Sequence, residues 1–197
     1  MLRRIATAAI AAVLLSAPAA THAATRTWSG AVSTNWGTAS NWVENAVPVN
    51  GDDLVFPDSP TNRTSNNNIA GLSVASVTVT TMNSGAAYDF IGNGITLTGP
   101  ITFSNPGVGS GSGDPNWAIP ITLGASITMT ADGRVTPFNA AIDLGANTLT
   151  IAGGGDLWIN GIVSGAGGIT KNSSSAFQLF GANTYSGATL VNSGSIF

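Results

Sequence analysis

Carboxylates are the first side chains in this sequence that could do chemistry. Asp52 and Asp53 are adjacent, and Asp58 follows closely. A glycoside hydrolase needs two carboxyl groups that face one cleft. Neighbouring residues of a strand, however, point to opposite faces. The sequence therefore favours a turn ahead of a strand at 54–56 over a pair of catalytic acids, and it predicts no catalytic residue.

Nucleophilic and metal-based chemistry have few candidates. Serines are frequent, but His22 is the only histidine, Lys171 is the only lysine, and there is no cysteine. A serine nucleophile needs a base, and transition metals need imidazole or thiolate ligands. Residues 153–156 (Gly-Gly-Gly-Asp) are similar to part of a calcium-binding nonapeptide repeat, but the glycines are contiguous and the motif occurs once. The sequence predicts no metal and no cofactor.

Tryptophans are the remaining candidates for binding. Trp28, Trp36 and Trp42 are clustered early in the chain, and Trp117 and Trp158 follow. Exposed rings can stack on sugars, so the first three are candidate contacts for surface polysaccharide. Large rings are more often buried. The sequence therefore favours a cap in which these three rings cover the open end of a solenoid core.

The N-terminal segment has the pattern of a secretory signal peptide. Arg3 and Arg4 precede an apolar run over 5–15, and small residues at Thr21 and Ala23 frame a cleavage site before Ala24. The run is too short to span a bilayer as a helix. The sequence therefore predicts a signal peptide over 1–23 and an exported protein.

Composition narrows the classes of fold and function. The predicted mature chain keeps four cations against nine carboxylates, which argues against nucleic acid as a partner. Charged residues make up 8% of the chain, whereas about 25% is typical. Hydrophobic content is 43%, so the chain is not of the disordered class. Strong helix formers such as Glu, Lys and Gln are scarce, which favours an all-β fold.

Short segments that read apolar–polar–apolar recur along residues 71–163 with turn residues between them. Their spacing is close to 20 residues, as shown by the isoleucines at 101, 121, 142 and 162. Internal repeats of this length are typical of solenoids. The sequence predicts a right-handed parallel β-helix with these isoleucines stacked inside and turn asparagines in ladders. The alternative is an antiparallel β-sandwich.

Residues 164–194 carry a distinctive pattern of glycines and polar residues. The pattern consists of Gly165, Gly167, Gly168, Lys171, Gly181, Asn183, Thr184, Tyr185 and Gly187. The segment resembles the autotransporter-associated β-strand repeat, also called the passenger-associated transport repeat. It departs from that repeat at Phe177–Phe180, Leu190 and Ser193. The resemblance covers about one sixth of the chain.

The resemblance implies a non-enzymatic passenger stalk of an autotransporter-like protein, on the cell surface or outer membrane of a Gram-negative-type bacterium, in which the repeat aids export and folding. The implied partner is an outer-membrane translocator barrel, which this sequence does not contain. Residues 24–70 are then a Trp-rich cap or first coils. Residues 164–197 are one repeat that ends abruptly, which predicts a longer protein or end-to-end self-association. The alternatives are a carbohydrate-binding or adhesion module and, third, a β-helical polysaccharide lyase or hydrolase.

Overall fold

A computed structural model describes residues 23–80, 87–104, 114–133 and 136–197. The strands of this part, numbered in chain order, form three sheets. The first sheet contains β1 (Thr25–Thr27), β2 (Asp53–Phe56), β5 (Ser76–Thr80), β8 (Ile101–Ser104), β11 (Ile127–Asp132), β14 (Leu149–Ala152), β17 (Ile169–Lys171) and β19 (Thr189–Val191). The second contains β3 (Thr64–Asn67), β6 (Asp89–Gly92), β9 (Asn116–Trp117), β12 (Thr136–Phe138), β15 (Leu157–Ile159), β18 (Ala176–Leu179) and β20 (Ser195–Ile196). The third contains β4 (Ser73–Val74), β7 (Ile95–Leu97), β10 (Ile121–Leu123), β13 (Ile142–Asp143) and β16 (Val163–Ser164).

The chain visits the three sheets in turn and so winds into a solenoid of about six turns. Each strand pairs in parallel with the equivalent strand of the coil before and the coil after, as β14 does with β11 and β17. The predicted parallel β-helix is therefore confirmed, and the antiparallel sandwich is wrong. The right-handed winding stays a prediction. The predicted signal peptide lies, apart from Ala23, outside the described residues.

The core is built from inward-facing columns that run along the solenoid. In the first sheet Leu54, Val77, Ile101, Met129 and Ile151 are successive partners in register. All five are at most 1% exposed. Because side chains alternate across a strand, the threonines and serines between them lie on the outer face. The alternation in sequence therefore fixed which face of each strand is buried.

The predicted stack of evenly spaced isoleucines is only partly right. Ile121 and Ile142 are partners in the third sheet. Ile101 instead belongs to the first sheet, where its partners are Val77 and Met129. Ile162 is 47% exposed, and Val163 pairs with Ile142 in its place. The coils differ in length because loops are inserted between strands, so an even count of residues does not preserve the register.

The tryptophan-rich segment closes the first end of the core. Trp28, Trp36 and Trp42 surround Phe56, and the Trp28 and Trp42 rings meet edge to face with centroids 5.1 Å apart. A single 3₁₀ turn at Ala39–Asn41 lies in this segment. Aromatic rings supply large apolar area at this end of the core, where the described residues include no further coil.

Candidate functional site: the repeat segment and its buried lysine

The segment that carries the repeat pattern spans one complete coil of the solenoid and the start of the next. It contains β17, β18 and β19, and β17 pairs with both β14 and β19. The paired positions Leu149, Ile169 and Thr189 are 20 residues apart, the shortest spacing found in the first sheet. The turn that begins at β17 is therefore a minimal one, with no inserted loop.

Glycines of the pattern lie where neighbouring coils touch. A β-carbon on Gly167 would lie 1.9 Å from the carbonyl oxygen of Asn147, and one on Gly187 would lie close to that of Gly167. Gly181 has the same relation to Gly161. Gly165 has a φ of +105°, which L side chains rarely adopt. These glycines are therefore required by the close stacking of coils.

The polar residues of the pattern fix the turns between strands. The Asn183 side-chain oxygen accepts a hydrogen bond from the backbone N–H of Val163 at 2.8 Å. The backbone N–H of Thr184 donates to the Val163 carbonyl at 2.9 Å. The hydroxyl groups of Tyr185 and Thr189 are 2.8 Å apart. The Gly-Ala-Asn-Thr-Tyr run thus binds the preceding coil, which accounts physically for this part of the pattern.

Lys171 occupies an unexpected position. It follows Ile151 in the inward column of the first sheet and is 0% exposed. Its ammonium group donates to the carbonyl oxygen of Ser173 at 2.5 Å, to the hydroxyl of Ser173 at 2.9 Å and to the carbonyl oxygen of Ser193 at 3.0 Å. Ser193 belongs to the next coil. The lysine therefore ties two coils together from inside the solenoid.

The surroundings of Lys171 disfavour its charge. Burial lowers the pKa of Lys171 below its ordinary value, and the negative charge of Asp156 opposes part of this shift. Gly194, with a φ of +72°, closes the site, since a β-carbon there would lie 2.5 Å from the lysine nitrogen. The three oxygen partners satisfy all three ammonium protons, which makes the buried charge tolerable.

Lys171 and Ser173 form a serine–lysine pair, but both side chains are buried and their hydrogen bond is part of the packed core. Ser173 is 3% exposed, so no substrate reaches its hydroxyl without local opening. The repeat pattern by itself did not predict the burial of Lys171. The signal was present: in Ile169-Thr170-Lys171 the lysine stands where Leu149-Thr150-Ile151 places an inward isoleucine.

The structure separates the adjacent carboxylates. Asp52 is buried and accepts hydrogen bonds from Arg26 Nε at 2.7 Å, from the Val49 N–H at 3.0 Å and from the Ala24 N–H at 3.1 Å. Burial alone would raise the pKa of Asp52, but these hydrogen bonds and the Arg26 charge outweigh burial and lower it. Asp53 lies on the outer face.

Each remaining candidate carboxylate has a structural partner. The Ser76 hydroxyl donates to Asp53 across neighbouring coils. Asp156, from the glycine-rich candidate calcium motif, accepts the backbone N–H of Ala176 at 2.9 Å. Asp58 forms an ion pair with Arg63 at 3.6 Å. Within the part of the chain that the structure describes, no group of three His, Cys, Asp or Glu residues is placed to hold a metal ion.

Trp28, Trp36 and Trp42 are at most 2% exposed, so the structure does not favour the alternative that they contact glycan. Their indole N–H groups bind the Asn62 carbonyl, the Ser65 hydroxyl and the Trp36 carbonyl at 2.6–2.8 Å. The structure instead supports the predicted cap over the core. These rings are buried because they pack around Phe56 at the first end of the core.

Asparagines form a ladder on the outer face of the second sheet. The side-chain amide of Asn160 donates to Asn139 at 2.6 Å, that of Asn139 to Asn116 at 2.5 Å, and that of Asn116 to Asp89 at 2.6 Å. The predicted ladders of turn asparagines are confirmed here. The ladder joins four successive coils, so it stabilises the register of the solenoid.

No helix of the described residues has the length and apolar character needed to cross a membrane. Searches of family models, of curated proteins and of solved structures find no match to this chain. The resemblance of residues 164–194 to the autotransporter-associated repeat therefore remains an expectation drawn from the sequence.

Proposed function

We propose that this chain is a non-enzymatic β-helical stalk segment of an exported surface protein of the autotransporter-like class. The observation that carries the proposal is the construction of the segment at 164–194. Within it, the turn from β17 to β19 is a minimal one of 20 residues that pairs in parallel with the coil before it, and Lys171 binds this turn to the start of the next at Ser193. Such a turn is suited to being added to a growing solenoid.

The rest of the chain supports the same role. Each coil contacts its neighbours along the solenoid, so folding can proceed coil by coil from one end. A chain with 8% charged residues and no cysteine has no disulfides to form before or after it crosses a membrane. The predicted signal peptide at 1–23 supplies the first export step, and an outer-membrane translocator barrel is the proposed partner.

A display experiment tests this role. The full chain, with its own N-terminal segment, is fused ahead of a heterologous translocator barrel in a Gram-negative host. Surface exposure is measured by protease shaving of intact cells. We expect the wild-type segment to reach the surface, and the G167V and K171A variants to be displayed several-fold less because their coils stack poorly.

The control is G154A, since a β-carbon at Gly154 meets no atom within 4 Å. It should be displayed as the wild type is. Equal display of G167V, K171A and G154A would show that coil stacking does not contribute to export and would contradict the proposal.

A further inference from the structure

Trp158 differs from the other tryptophans of the chain. The other four are at most 2% exposed, and each donates its indole N–H to an oxygen atom. Trp158 alternates with the buried residues Leu157 and Ile159, so its ring lies on the outer face of the second sheet. The ring is half-buried, and its indole nitrogen is shielded from solvent and has no acceptor among the described residues. Neither core packing nor internal hydrogen bonding explains a tryptophan at this position.

A second aromatic ring extends this surface. Phe180 is 59% exposed, and its ring meets that of Trp158 at a centroid distance of 6.0 Å and an angle of 72°. Ile159 pairs with Leu179, so Phe180 lies in the next coil, diagonal to Trp158 on the same face. Two aromatic rings of neighbouring coils therefore form a continuous patch on the outside of the solenoid.

Uncharged hydrogen-bonding groups flank the patch. Gln178 is the strand partner of Trp158, and the Asn160–Asn139 rungs of the ladder follow on the same face. The nearest carboxylate of this face, Asp156, already accepts the backbone N–H of Ala176. Among the described residues, this surface thus combines aromatic rings with amides and presents no Lys or Arg side chain.

We propose that Trp158 and Phe180, with the amides of Gln178 and Asn160, form a binding face for a neutral polysaccharide. The C–H faces of a sugar ring pack against aromatic rings, and sugar hydroxyls exchange hydrogen bonds with side-chain amides. An acidic polymer would find no cationic partner among the described residues of this face, and the net negative charge of the protein would repel it. The proposal goes beyond the stalk role, and because it depends only on the fold, it can fail without affecting that role.

Affinity electrophoresis tests the proposal directly. The purified full chain is run in gels that contain hydroxyethylcellulose, galactomannan or dextran, and in a gel with polygalacturonate as the acidic comparison. We expect retardation in at least one neutral gel. The W158A and F180A variants should bind about tenfold more weakly, as expected when an interface anchor is removed. V32S is the matched control, since Val32 is also an exposed apolar residue, 63% exposed, but lies in the cap.

Tryptophan fluorescence provides a second, independent readout. The other four tryptophans are buried, so acrylamide should quench mainly Trp158, and W158F should remove this quenchable fraction. A bound neutral polysaccharide should shield Trp158 from acrylamide. Absence of retardation in all three neutral gels, or retardation unchanged by W158A and F180A, would overturn the proposal. So would concentration-dependent association abolished by F180A, because it would assign the patch to a second copy of the chain.

Discussion

The ammonium nitrogen of Lys171 lies 3.0 Å from the carbonyl oxygen of Ser193, which belongs to the following coil. The same nitrogen binds the carbonyl and hydroxyl oxygens of Ser173 in its own coil. Before this point the inward column of the first sheet is apolar. The lysine therefore replaces apolar packing with a directional contact that fixes one coil on the next.

Removal of the Lys171 ammonium group should destabilise the fold. K171A leaves a cavity and two carbonyl oxygens without a donor, so we expect the free energy of unfolding to fall by about 3–5 kcal/mol. K171M keeps most of the volume and should cost about 1–3 kcal/mol. Denaturant titration measures both. T170A, on the outer face of the same strand, is the control and should stay within about 0.5 kcal/mol of the wild type. A K171A protein as stable as T170A would show that the Lys171 ammonium group does not stabilise the contact between the two coils.

The pH dependence of stability should report the buried lysine. The folded pKa of Lys171 is lowered, whereas the unfolded chain has the ordinary value of 10.5. Between these two values the unfolded chain holds a proton that the folded chain has released, so stability rises as pH rises through this interval. Thermal unfolding followed at several values of pH below 10.5 should show the rise. The K171M variant should lack it, and an identical rise in K171M would assign it to another group.

Tyr88 should make the stability of the fold decrease with rising pH above about pH 10, in contrast to the rise expected from Lys171. Its hydroxyl donates to the Pro57 carbonyl at 2.7 Å, and burial raises its pKa well above the ordinary value of 10.0 while the Arg63 charge opposes part of the shift. Above pH 10 the unfolded chain loses a proton that the folded chain keeps, so stability falls. Y88F should be about 1 kcal/mol less stable at neutral pH but should lose less stability on going above pH 10. A decline in Y88F as steep as that of the wild type would contradict this assignment.

The alternation of buried and outward side chains along each strand was predictable from the sequence, because it depends only on a two-residue period in neighbouring residues. Val77-Thr78-Val79 and Leu149-Thr150-Ile151 read as half-buried strands, and they are. Coil register was not predictable from a count of residues, since inserted loops shift it, as Ile162 shows. The inward position of Lys171 was readable from the alternation in Ile169-Thr170-Lys171, but its contact with Ser193 was not, because these two residues are 22 positions apart and are brought close only by the stacking of coils. The outward position of Trp158 was readable from its apolar neighbours, but its missing hydrogen-bond acceptor was not.

Close stacking of coils makes some glycines irreplaceable. G167A would place a β-carbon 1.9 Å from the Asn147 carbonyl oxygen, a distance that only backbone movement relieves. We expect it to lower the free energy of unfolding by about 2–4 kcal/mol, in the range of other strongly destabilising single changes. G154A, whose β-carbon would meet nothing within 4 Å, should change stability by no more than about 1 kcal/mol. Comparable losses in the two variants, measured in the same denaturant series, would show that stacking is not the cause.

Asp52 should stabilise the first coil above acidic pH. Its pKa is lowered in the folded chain relative to the ordinary value of 3.8, so its contribution is present above 3.8 and is lost as pH falls through the folded pKa. D52N should therefore lower the free energy of unfolding at neutral pH, and this variant should lose less stability than the wild type as the pH falls. A D52N protein with the acid profile of the wild type would show that other carboxylates cause that loss.

The same carboxylate should respond to signal-peptide cleavage. If cleavage occurs before Ala24, the nitrogen 3.1 Å from Asp52 becomes an α-ammonium group, and a charged donor binds a carboxylate more strongly than an amide does. We expect the chain that begins at Ala24 to be about 1 kcal/mol more stable than the same chain acetylated at Ala24. The D52N background should remove this difference, because the carboxylate that binds the new charge is gone. A difference that persists in D52N would place the effect of the free amine elsewhere than at Asp52.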